Sequence, residues 1–282
     1  MAHPYQWSSS RLIAFDKQEF GAMRPLFSMT SYAIIVVRLG LQPNVWNVDH
    51  AAASLLSTTP LRVRNMNKIE LSIHLEANYP ANKSSITQRK PIHGVGFNDA
   101  DYAVRPVVNG VNLMDPAYRT WSNMLKRAYD QKLHERYPTY SDVTVCKEWH
   151  SFNAFRTWWL ENYREGGHLD KDLLVVGNRE YSPRSCLYIP QWLNKFTTDS
   201  GASRGELPVG VYLCKQTGKY KSQCCNPITG KNRNLGRFST PKAAHEAWLT
   251  YKLALADQLK PQMDAIDQRI YPNVVTIIKA AI

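Results

Sequence analysis

The densest run of reactive side chains is His168-Leu169-Asp170-Lys171-Asp172, directly after the glycine pair Gly166-Gly167. An imidazole, two carboxylates and an amine fall within five positions. On an extended strand alternate residues share a face, so His168 and Asp170 point together, Asp172 follows them, and Lys171 points away. Imidazole and carboxylate are the groups of general acid–base chemistry near neutral pH. A lysine amine is ordinarily protonated there and makes a poor base. The same residues beside a glycine turn also read as a solvated loop.

A second concentration is electrostatic. Between Arg204 and Lys260 the chain carries ten Lys/Arg and three Asp/Glu, a net +7 out of a total of +12 over 282 residues. Excess of this sign makes a polyanion the expected partner. Most of these cations fall on three short strand-like runs, 207–214, 219–225 and 233–238, with turn residues at Thr217-Gly218 and Pro227-Ile228-Thr229-Gly230. Thr240-Pro241 then opens a helix as N-cap and first residue, with one apolar stripe running from Ala243 to Leu259. A three-stranded sheet with a helix on one face leaves the other face free. Such a sheet, basic and twisted, fits a duplex major groove.

The elements that must position the His168 cluster are aromatic. Asp115-Pro116 opens a helix whose Tyr118, Trp121, Leu125 and Tyr129 share a face, and a second helix over 151–163 carries Phe152, Phe155, Trp158 and Trp159. Both stripes read as core. Val143 and Val145 suggest a short strand between them. Upstream, Tyr32–Val37 reads as a strand, Ala51–Leu56 as a helix, Ile69–Leu75 as a strand with period two, and 78–91 as a linker. The division is therefore 1–91 of unknown role and partly disordered, 92–200 a catalytic-type core, 201–262 a DNA-binding unit, and 263–282 a tail.

Other classes are excluded. No apolar run approaches the ~20 residues of a membrane span, and no secretory signal pattern is present. The five cysteines are odd in number and form no C-x-x-C pair, which argues against a disulfide framework or a cysteine zinc site and for a reducing, cytoplasmic compartment.

The C-terminal unit resembles the Apetala/ethylene-response-factor DNA-binding domain. The likeness rests on Gly210-Val211, Gly218-Lys219-Tyr220, Leu235-Gly236-Arg237-Phe238, Ser239-Thr240 and Ala243-Ala244-His245-Glu246-Ala247. It implies that the sheet enters the major groove. Tyr212, Cys214 and Cys225 stand where that family has arginine, and Asn232 and Asn234 where it has arginine and tryptophan, so the plant target sequence does not carry over. The expected DNA-contacting set is Tyr212, Lys215, Lys219, Lys221, Gln223, Asn232, Arg233, Asn234 and Arg237, with Asn and Gln suited to adenine edges and Lys to phosphates.

The middle segment is similar to phage-type HNH homing endonucleases, a branch of the His-Me finger nucleases. The likeness lies in Tyr118…Trp121…Met124-Leu125…Tyr129, in Trp149…Phe152…Phe155…Trp158, and in Leu169-Asp170-Lys171-Asp172-Leu173. It continues through Gly177-Asn178, Tyr181-Ser182-Pro183, Cys186–Pro190 and Asn194. A phrase that such proteins carry before this core, Gly94-Val95-Gly96-Phe97-Asn98-Asp99-Ala100-Asp101-Tyr102, reads as a turn-rich element docked on the helical lead-in. The resemblance implies a phage-encoded protein in the host cytoplasm. It also implies one Mg²⁺ or other divalent ion held by Asp170 and Asn194, which lie 24 positions apart, and a histidine that activates water. Lys171 stands where that histidine belongs. His168 is the substitute base, Lys171 remains the aligned catalytic position, and Asp172 is a second candidate metal ligand.

The expected fold is α+β: a small helix-rich HNH-like core, then a three-stranded antiparallel sheet packed on one long helix. The expected activity is metal-dependent hydrolysis of double-stranded DNA, with no organic cofactor and no membrane partner. A noncatalytic DNA-binding protein on the same scaffold is the alternative, which a phosphate-facing Lys171 would favour.

Overall fold

The computed structural model describes residues 66–198 and 205–281. The expected elements at Tyr32–Val37 and Ala51–Leu56 lie outside the described residues. The fold is α+β, with small sheets and helices that carry the cores.

The chain enters through helix α1 (Lys68–Asn78), where period-two apolar spacing predicts a strand. The correction has a local cause. Asn67 accepts from the Glu70 amide at 2.9 Å while Glu70 accepts from the Asn67 amide at 3.0 Å, a complete capping box. The expected linker is also structured. Helix α2 (Lys83–Thr87) is capped by Asn82, and the Arg89 guanidinium donates to the carbonyls of Asn98 and Tyr102 at 2.8 and 3.2 Å.

A two-residue hairpin follows, β1 (Val107–Val108) and β2 (Val111–Asn112), then helix α3 (Pro116–Tyr129), helix α4 (Gln131–Arg136) and strand β3 (Thr144–Val145). Helix α5 (Phe152–Asn162) packs across α3. Trp121, Trp149, Phe152, Phe155 and Trp159 are all fully buried here, and Trp121 Nε1 donates to the Trp149 carbonyl at 2.7 Å. Burying each ring contributes about 1.5–3 kcal/mol or more. The 94–102 phrase docks on this pair. Asp99 accepts from Ser151 Oγ at 2.6 Å and from the Asn153 amide at 2.8 Å at the start of α5. Gly96 lies so close to α3 that a Cβ would sit 2.2 Å from Leu125 and 2.8 Å from Trp121.

One polar network ties these helices together. Asp115, fully buried, caps α3 through the Ala117 and Tyr118 amides at 2.7 and 3.1 Å. Its other oxygen accepts from Ser72 at 2.8 Å and Tyr102 at 2.6 Å. Arg156 on α5 lies 3.8 Å away and reaches back to Ser72 and, at 2.9 Å, to Glu76 on α1. Ser72 and Glu76 are thus needed on one helical face, which alternation of Ile69, Leu71 and Ile73 does not reveal.

The remaining elements form two units. Strand β4 (Gly167–Asp170) is followed by β5 (Glu180–Tyr181), which runs parallel to β3. The chain returns as β6 (Leu187–Pro190), antiparallel to β4, and continues into helix α6 (Gln191–Thr197), packed on both. Strands β7 (Val211–Cys214), β8 (Lys219–Asn226) and β9 (Lys231–Phe238) make one antiparallel sheet in that order, with helix α7 (Pro241–Asp264) on one face. Gly210 precedes β7 at φ +78°, and a Cβ there would meet the Trp248 ring of α7 at 2.1 Å. The segment expected as a tail is instead helix α8 (Ile270–Ala280), whose Ile270, Val274 and Ile278 are buried. Among the described residues no helix is long and apolar enough to cross a membrane.

Replacing Asp115 by Ala removes the α3 cap and leaves Arg156 buried beside Glu76 alone. We expect a loss of about 3–5 kcal/mol in urea denaturation. A loss below about 1 kcal/mol would contradict the role given to this carboxylate.

Candidate functional site

The β4–β6 pair and α6 form a ββα arrangement that brings His168 to Asn194. His168 lies opposite Ile189 on β4, and its Nδ1 is 3.2 Å from Asn194 Nδ2 on α6. With Nδ2–H donated to Nδ1, the ring proton sits on Nε2. With the amide turned over, Oδ1 accepts Nδ1–H and Nε2 is free to take a proton.

Asp170 is placed differently. Its Oδ1 accepts from the backbone amides of Asp172 at 3.0 Å and Leu173 at 2.8 Å, closing the turn after β4. Burial raises its pKa, while the Leu173 and Asp172 amides pull it back down. Lys171 points inward, as alternation from His168 requires. It is buried, pairs with Asp172, donates to the Asn178 carbonyl at 3.2 Å and lies 5.7 Å from the Tyr181 ring centre. Lys171 is thus a structural post for loop 171–178 and turns away from the His168 face. Asp172 pairs with it through Oδ1 and is otherwise exposed. Among the described residues no three His, Cys, Asp or Glu gather to hold an ion.

Asp170 Oδ2, Asp172 Oδ2 and, with the amide oriented as found, Asn194 Oδ1 have no hydrogen bond among the described residues. They are hard oxygen donors. Mg²⁺ is commonly held by one or two carboxylate or carbonyl oxygens, with water and phosphate completing its shell. The donor chemistry fits such an ion.

His168 and Asn194 border a groove of about 700 Å³ whose other wall is α3. Arg119, Asn123 and Arg127 line that wall, Lys68 lies at its α1 border, and no carboxylate lines it. Sequence reasoning missed these residues. The signal was present, since 119, 123 and 127 repeat every four positions on the helix face away from Trp121 and Leu125.

The second candidate surface is the sheet. Val211, Ser222 and Cys224 are buried under α7. Tyr212, Lys221 and Arg237 form one cross-strand row on the free face, followed by Gln223 opposite Asn234 and Cys225 opposite Asn232. Asn234 and Arg237 are three apart, so a regular strand would turn them to opposite faces. A bulge prevents this. Asn234 pairs with Gln223 and Gly236 with Ser222, so Leu235 is an extra residue that restores the parity. Lys219, two positions before Lys221, extends the free face, and Lys215 is exposed in the β7–β8 turn.

Arg233 is the exception in the expected set. It stands opposite buried Cys224, and its guanidinium lies 5.2 Å from the Tyr251 ring of α7. It therefore belongs to the helix side of the sheet.

The inward placement of Lys171 predicts that Lys171→Ala lowers stability by about 1–3 kcal/mol and speeds amide exchange in 171–178. Unchanged stability would mean that the ammonium is not part of the loop's support. Compared with known proteins, the chain matches no family model, no curated protein and no solved structure.

Proposed function

We propose that the chain is a metal-dependent DNA endonuclease of the HNH homing type that is positioned on duplex DNA by its C-terminal sheet. The observation that carries this reading is the His168–Asn194 contact at the edge of a carboxylate-free cationic groove. An imidazole held by a neighbouring amide beside a phosphate-attracting surface is what hydrolysis of a phosphodiester needs.

In this reading Asn194 orients the His168 ring. One lone pair of its amide oxygen takes Nδ1–H, so that Nε2 accepts a proton from the attacking water. Asp170 and Asn194 would hold Mg²⁺, which when bound stabilises negative charge on the phosphate and the leaving oxygen. Arg119 and Arg127 attract the phosphate backbone. The sheet binds through its free face: Lys219, Lys221 and Arg237 meet phosphates or guanine edges, and Gln223, Asn232 and Asn234 meet adenine edges. Tyr212 adds apolar contact.

The alternative, a noncatalytic DNA-binding protein, is favoured by one feature. Asp170 already has a structural use in closing the turn after β4.

Plasmid nicking with Mg²⁺ or Mn²⁺ against EDTA separates the two. We expect metal-dependent nicking that falls at least about 100-fold in His168→Ala and is lost in Asp170→Asn, which keeps the acceptor for the turn. Supercoiled plasmid that survives at every pH from about 6 to 9 would remove the enzyme and leave the binding protein. For the sheet, Lys221→Ala and Arg237→Ala should each lower the salt slope of DNA affinity by about 0.9. Arg233→Ala should leave it nearly unchanged. An equal effect of all three would contradict the face assignment.

A further inference from the structure

The groove beside His168 has a regularity that goes beyond the phosphate attraction already given to Arg119 and Arg127. Arg119, Asn123 and Arg127 sit at i, i+4 and i+8 on α3, on one face. At 1.5 Å per residue the row rises about 6 Å per step and 12 Å in all. That length matches three to four nucleotides of one strand, at about 3.4 Å each along the axis.

The row is also uncompensated. Arg119 and Asn123 are exposed, and Arg119 has no carboxylate partner among the described residues. Arg127 is half-buried, and its guanidinium donates to the neutral Tyr181 hydroxyl at 3.0 Å and stacks 5.9 Å from that ring. Lys68, at the α1 border, is shared with Glu165 at 3.2 Å. A second groove, of about 490 Å³, lies between 164–167 and 265–269. It differs in that Glu165 and Asp267 accompany its arginines and Arg269 is paired with Asp267 at 2.7 Å.

We propose that the Arg119-Asn123-Arg127 row is a strand track, which grips phosphates spread over three to four nucleotides of one DNA strand and leads that strand past His168. It is a second DNA contact, made by a helix and independent of the sheet. The proposal rests on the reading that the chain acts on DNA, but not on its cutting DNA. Fixed cations at this spacing neutralise phosphates without reading bases, so the track adds affinity and register and carries no sequence preference.

The test is fluorescence anisotropy with duplex DNA in EDTA, where no cutting occurs, across a salt series. Arg119→Ala/Asn123→Ala should weaken binding about tenfold and lower the salt slope by about 1, equally for unrelated sequences. Arg119→Lys should restore most of the slope. Lys126→Ala, an exposed cation of the same helix outside the groove lining, should change neither. The proposal is overturned if the double variant binds like the parent while Lys221→Ala on the sheet weakens binding. It is equally overturned if Lys126→Ala matches the double variant. If neither the groove nor the sheet variants change binding, the DNA reading itself fails, and the track with it.

Discussion

The ββα unit and the three-stranded sheet share one hydrophobic core, and their relation depends on it. Leu173, Ile189, Leu193 and Phe196 come from the turn after β4, from β6 and from α6. They pack in one cluster with Trp248, Leu255 and Leu259 of α7 and with Ile270, Val274 and Ile278 of α8. Asn273 reinforces the joint by donating to the carbonyls of Leu173 and Leu174 at 2.9 and 3.0 Å. Lys252 of α7 adds an unusual contact. Its ammonium lies 3.7 Å from the Phe196 ring centre, and burial lowers its pKa. A packed core does not deform continuously. The sheet and the His168 groove are therefore kept at a fixed offset.

The other end of the site is fixed by charge. Asp115 and Arg156 anchor α3 to α1 and α5, so the face that carries Arg119 and Arg127 has one orientation against β4. A buried pair of this kind is weak evidence for stability in itself, but removing one partner is costly. Its value here is geometric, because it specifies how the lead-in helices meet.

Much of this was legible in the sequence. Helix α3 with its Asp115-Pro116 start, helix α5, the three strands of the sheet and the Thr240-Pro241 opening of α7 all follow from periodicity and caps. Three kinds of feature were not. Ile69–Leu75 alternates like a strand, yet the Asn67–Glu70 box and the buried partners of Ser72 make it a helix, so tertiary demand overrides local pattern. Helix α8 begins at Arg269 without a side-chain cap and so lacks a start signal. The bulge at Leu235 shifts parity within β9, whereas period two alone would group Arg233 with Arg237 and set both apart from Asn232 and Asn234. At the site, alternation turned Lys171 away from His168, but no spacing rule reveals that Asn194 would meet His168, or that Lys171 would pair with Asp172.

With the sheet as the proposed binding surface and His168 as the proposed cutting site, the shared core sets a fixed distance between the two. The most direct measurement is to map, on one end-labelled duplex, the strand breaks made by the parent protein with Mg²⁺ against the footprint of His168→Ala. Breaks are expected at a single offset from the edge of the sheet's footprint, unchanged when the flanking sequence is altered. Breaks scattered over many offsets, or a clear footprint with no break at any distance, would contradict this expectation.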